Sequence, residues 1–156
     1  MRLYLINHAH AVPREEITDM NNRPLSDKGR TDTVNLAKFM KANGEKVDRV
    51  LHVDTSWTLE NAELLAKELG GVKVEATSYA LQSDDDIKPF IEEVNGCTDN
   101  VALTGASNSC FKAVGQLLAG RQEPYLTAFA NGVCVCLERS DDGLWIMQWM
   151  NRPEQL

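Results

Sequence analysis

The chain has 156 residues, 43% of them hydrophobic, which suits one globular domain spanning 1–156 with a sizeable core and disfavours a two-domain organisation. Its 23 acidic residues outweigh 16 basic ones, the net charge is −7 and no Lys/Arg block stands out, which argues against nucleic acid or an anionic membrane as a partner. There is no basic start followed by an apolar signal core, and no run approaches the roughly 20 apolar residues of a membrane span, so a soluble cytoplasmic protein is expected.

"RLYLIN" at 2–7 is short, apolar and rich in strand formers, and reads as a central strand. A loop containing Pro13 and the turn "NNRPLS" follows. Ser26 then caps a helix whose apolar positions Val34, Ala37 and Met40 recur at helical spacing as far as "NG" at 43–44. "RVLHV" at 49–53 is the second strand, and Leu59, Ala62, Leu65, Ala66 and Leu69 form an amphipathic stripe ended by "GG" at 70–71. "VKVEA" at 72–76 makes a third strand, and "SDDD" at 83–86 is a capping box that opens a helix running toward "NG" at 95–96. "NVALT" at 100–104 leads through "GASNS" into a helix over about 108–119, and "GVCVCLE" and "GLWIMQWM" flank "RSDDG" as a hairpin. Strands alternating with helices, then a terminal hairpin, predict a three-layer α/β/α sandwich around a mainly parallel sheet.

In such sheets ligands sit beyond the carboxyl ends of the parallel strands, here the loops "NHAH", "DTSW" and "TGASNS". The chemically versatile side chains among them are His8 and His10, which would point to one side if the strand continued. A histidine there is more often a hydrogen-bonded or merely exposed structural ring than a catalyst, and composition does not reverse that. No carboxylate or Cys stands at ligand spacing from this pair, and His52 lies in a different strand, so no metal site is expected. Ser107 and Ser109 lack the strained G-x-S-x-G context of a nucleophile. Cys97, Cys110, Cys134 and Cys136 form no C-x-x-C and read as structural buried thiols.

The blocks "LYLINHA", "RPLSDKGR", "RVLHVDTSWTLENAELLAKELG", "NVALTGASNSCFKAVGQLL" and the closing hairpin, in that order, resemble the histidine phosphatase superfamily, in particular short bacterial phosphohistidine phosphatases of the SixA type. The resemblance implies a pocket that holds a phosphoryl group while a histidine attacks it, with His8 as candidate nucleophile, Arg23 of the R-P-L block on phosphate, and no cofactor. Three anchors differ. The family's Arg-His-Gly opening is Asn7-His8-Ala9, Trp57 stands where an arginine follows the second strand, and Ala106 stands where the second histidine follows the fourth. With these replacements the resemblance implies a pseudophosphatase that binds a partner or anionic ligand, with a phosphohistidine-bearing signalling protein as the expected partner. The alternative is an active phosphohistidine phosphatase in which Asn7, Arg23, Arg14 and backbone amides at 105–109 hold the phosphoryl oxygens around His8.

Overall fold

The computed structural model describes residues 1–77 and 86–156. Six strands form one sheet in the order β3-β2-β4-β1-β5-β6: β1 (Arg2–Asn7), β2 (Arg49–His52), β3 (Lys73–Ala76), β4 (Val101–Gly105), β5 (Cys134–Arg139) and β6 (Trp145–Asn151). The first four are mutually parallel, whereas β5 runs antiparallel to β1 and β6 closes the hairpin. The expected α/β sandwich is the observed one.

Alternation along β1 sends its residues into two separate cores. Leu3 and Leu5 meet Phe90 and Val94 of α3 (Lys88–Gly96) and Cys110, Ala113 and Val114 of α4 (Ser107–Ala119). Tyr4 and Ile6 face the other way, onto Leu36, Ala37 and Met40 of α1 (Asp27–Ala42) and Ala62, Leu65 and Ala66 of α2 (Ser56–Glu68). A strand buried on both faces reads as a continuous apolar run, and "LYLI" is one.

Local chemistry sets the element ends. Ser26 Oγ accepts the Gly29 N–H and caps α1 as expected. Gly143, at φ 85, makes the left-handed position of the β5–β6 turn. The stripe on α2 differs from the expected one: Leu59 is exposed while Thr58 and Asn61 are buried, because their side chains bond the loops that α2 supports. The capping box read in "SDDD" falls, apart from Asp86, outside the described residues; α3 begins after Ile87, whose side chain makes no cap, and Asp86 Oδ1 accepts the Lys88 amide at 3.1 Å. All four cysteines are free thiols, and burial pushes Cys110 and Cys136 up to about 12, which keeps them protonated and inert. Among the described residues no helix is long and apolar enough to cross a membrane.

Candidate active site

β1 ends beside the carboxyl end of β4, with Asn7 in register with Gly105, and the His8 amide donates to the Gly105 carbonyl at 3.0 Å. His8 therefore leaves the sheet at a fixed place. Its Nδ1 lies 2.9 Å from the Ala9 carbonyl oxygen, an acceptor, so Nδ1 carries the proton and Nε2 keeps the lone pair. Burial lowers the basicity of the ring, the Ala9 carbonyl works against that, and the charges of Arg23 and His10 lower it further. The result is an imidazole biased toward its neutral form, whose Nε2 has no partner among the described residues.

The loop after His8 is held by side chains of α1 and α2. The Ala9 amide donates to Asn61 Oδ1 at 3.0 Å, and Asn61 Nδ2 donates to Thr33 Oγ1 at 2.8 Å, so a buried asparagine bridges the loop to α1. The Ser26 amide donates to the His10 carbonyl at 2.9 Å, and Ser26 Oγ sits 2.8 Å from His10 Nδ1. α1 approaches so closely that a Cβ on Gly29 would fall 2.1 Å from the His10 carbonyl oxygen. That contact explains the glycine in "RPLSDKGR". Glu60 joins the block to α2, accepting the Leu25 amide at 2.7 Å and Arg30 Nε at 2.7 Å.

Arg23 is positioned by three contacts. Its Nε donates to the Val12 carbonyl at 2.7 Å, its own carbonyl accepts from Ser56 Oγ at 2.7 Å, and its guanidinium lies over Trp57, 5.1 Å from the ring centroid. Trp57 also meets His8 edge-on, with ring centroids 6.0 Å apart. Burial lowers the Arg23 pKa, nearby Arg14 lowers it further and Glu15 opposes. Among the described residues neither Arg14 nor Arg23 has an ion-pair partner.

These residues open onto a cleft of about 540 Å³ lined by His8, His10, Arg14, Arg23 and Asn7, with Glu15 as its one acidic side chain among the described residues. In a chain of net charge −7, this is a local concentration of cationic groups suited to an anion. Ser107 lines it as well, so the N-terminal end of α4 borders the cleft. Asn7 is 4% exposed, and its Nδ2 donates to the Phe129 carbonyl at 3.0 Å while Oδ1 has no partner among the described residues. Trp57 and Ala106 do not line the cleft: Trp57 sits behind His8 and Arg23, and Ala106 flanks the start of α4. Among the described residues no group of three or more His, Cys, Asp or Glu is placed to hold a metal ion.

Sequence reasoning missed the segment before β5. Phe129, Ala130 and Asn131 line the cleft, and Asn131 Nδ2 donates to the His8 carbonyl at 3.1 Å. Its one signal is the dipeptide Asn131-Gly132: Gly132 has φ 76 and its amide reaches the carbonyls of Asn7 and His8 at 3.1 and 3.2 Å. The support from Glu60 and Asn61 carried no signal of its own, since polar residues in a helix usually face water.

No protein-family model matches the sequence, and no curated protein does. Solved structures do match over almost the whole chain. The protein histidine phosphatase SixA in complex with tungstate is 17% identical, with a TM-score of 0.79 and 99% of each chain covered. A phosphoserine phosphatase of Entamoeba histolytica, in complex with 3-phosphoglyceric acid, is 13% identical at a TM-score of 0.72, covering 97% of this chain and 96% of that one. A mycobacterial glucosyl-3-phosphoglycerate phosphatase in complex with VO3 is 14% identical at a TM-score of 0.68, covering 96% and 98%. The chain has the SixA-like fold of the histidine phosphatase superfamily.

Proposed function

We infer that this chain is a histidine phosphatase superfamily member that binds a phosphorylated ligand in the His8 cleft and turns it over slowly or not at all. The observation that carries this is Trp57. Where the resemblance expects a phosphate-binding arginine, an uncharged indole lies against His8 and under Arg23, outside the lining of the cleft, and brings no positive charge to an anion. Asn7, at the second expected arginine, has given an N–H to Phe129. A hydrogen bond between charged partners contributes about 1.5–3 kcal/mol, so two missing guanidinium groups remove about 3–6 kcal/mol from phosphate or transition state. A preorganised donor aimed at developing charge supplies about a hundredfold to a thousandfold in rate, and Ala106 supplies none. Allowing for non-additivity, turnover on the order of ten-thousandfold below that of a site with all three groups is expected. Arg23, Arg14 and the edge of α4 remain to bind. The natural ligand on this reading is a phosphohistidine-bearing signalling protein in the cytoplasm.

Binding tests this directly. Calorimetric titration with inorganic phosphate is expected to show an interaction that Arg23→Ala weakens at least tenfold. Joint replacement Asn7→Arg, Trp57→Arg and Ala106→His is expected to tighten it. No phosphate binding by the wild type, or no gain from the triple change, counts against the reading.

A second reading has its own support. His8 presents a neutral Nε2 with its proton fixed on the opposite nitrogen, the form a nucleophile needs. An active enzyme would transfer the phosphoryl group from a phosphohistidine substrate to His8 Nε2 and then to water. A P–N bond with an imidazole leaving group asks less of a general acid than a phosphate ester does.

A further inference from the structure

His10 lines the cleft beside His8 and has no part in the proposed phosphoryl contacts of Arg23, Arg14 and α4. Its ring is exposed and lines the cleft, and Nδ1 is fixed 2.8 Å from Ser26 Oγ, leaving Nε2 without a partner among the described residues. The hydroxyl is itself immobile, because it accepts the Gly29 amide at 3.1 Å and reaches the His10 carbonyl at 3.1 Å. A ring seated on a helix cap that also ties down its own backbone is preorganised, so a ligand pays little entropy to use it.

We propose that His10 is a ligand-binding residue of this cleft, its imidazolium Nε2–H donating to an anionic oxygen of a phosphorylated ligand whose other oxygens meet Arg23. This rests on the cleft being an anion site, and adds to it an imidazole, a group that exists in neutral and charged forms where the guanidinium groups of Arg14 and Arg23 stay charged. The ligand it selects is a doubly charged oxyanion, and it holds it more tightly in mildly acid solution. Among the described residues, the charged or titratable groups that line the cleft with His10 are His8, just past the end of β1, Arg14 and Glu15 from the Arg14–Glu16 turn, and Arg23; the start of α1 meets His10 through its uncharged cap Ser26 and Gly29. Glu15 is the competing explanation, since its protonation would also favour an anion.

Sulfate is the probe, because it stays a dianion across the range. Calorimetric titration at about pH 8 and about pH 5.5 is expected to give the wild type a roughly fivefold to tenfold rise in affinity on acidification. His10→Ala is expected to keep the affinity at the higher pH and lose the rise. His10→Lys, charged at both, should hold the tighter value throughout, and Glu15→Gln should leave the rise intact. A rise that survives in His10→Ala, or vanishes in Glu15→Gln, overturns the assignment of His10 while leaving the anion site standing. Absence of sulfate binding by the wild type at either pH overturns both.

Discussion

The guanidinium of Arg23 rests on the indole of Trp57, 5.1 Å from the ring centroid, and the same indole meets the edge of His8. One side chain thus sets the position of both the candidate phosphate ligand and the candidate nucleophile. A cation–π contact of this kind contributes about 0.5–1 kcal/mol at an exposed site. Trp57→Ala is therefore expected to weaken phosphate binding about twofold to fivefold, read by calorimetry, with Trp57→Phe close to wild type. Tighter binding in Trp57→Ala would mean that the indole obstructs the cleft instead of supporting it.

Gly29 is where α1 touches the loop that carries the site. A Cβ there would fall 2.1 Å from the His10 carbonyl oxygen, a backbone atom that cannot step aside alone. Gly29→Ala is expected to cost about 2–3 kcal/mol of stability and to weaken phosphate binding as the loop shifts. Gly96→Ala, where nothing lies within 4 Å of the added carbon, is the control and should change little in thermal denaturation.

His8 links stability to pH. Burial, foremost, holds its basicity below the ordinary value of 6.5, so on acidification the unfolded chain takes up this proton first. More protons bound by the unfolded state means that stability contributed by neutral His8 is present above about pH 6.5 and declines as pH falls toward the lower value of the folded state. Urea midpoints between about pH 8 and pH 5 should show this decline in the wild type and a shallower one in His8→Asn. Equal slopes would place His8 in a more solvated setting than the one described.

Asn7 occupies a buried position where, among the described residues, Oδ1 has no partner and Nδ2 has one. Asn7→Asp would set a carboxylate against the Phe129 carbonyl without solvent, and is expected to destabilise by about 3 kcal/mol or more. Asn7→Leu loses one hydrogen bond but also removes the orphaned oxygen, so a change within about 1 kcal/mol is expected in denaturant titrations.

Most of the fold was legible because its signals are local. The run "RLYLIN" matches β1 residue for residue, and the Ser26 cap and the "NG" stop bracket α1. The sequence offers His8, Arg14, Arg23 and Asn7 as candidates, and the fold brings the four to one cleft. What stayed hidden depends on partners distant in sequence. Asn61 is buried because it bridges Ala9 and Thr33, and Leu59, though apolar and in step with the stripe, is left exposed on the other side of α2. No helical period distinguishes those two. The share of Phe129 and Asn131 in the site likewise follows from β5 pairing antiparallel to β1, which brings the preceding segment over the end of β1.

The central claim, that the cleft binds phosphoryl groups without efficient turnover, meets its most direct test in phosphate release from a phosphohistidine substrate by the wild type and His8→Ala at matched concentrations. Background-level release from both, alongside phosphate binding that depends on Arg23, is the predicted result. Release well above background that disappears in His8→Ala would contradict it and make the protein an active phosphohistidine phosphatase.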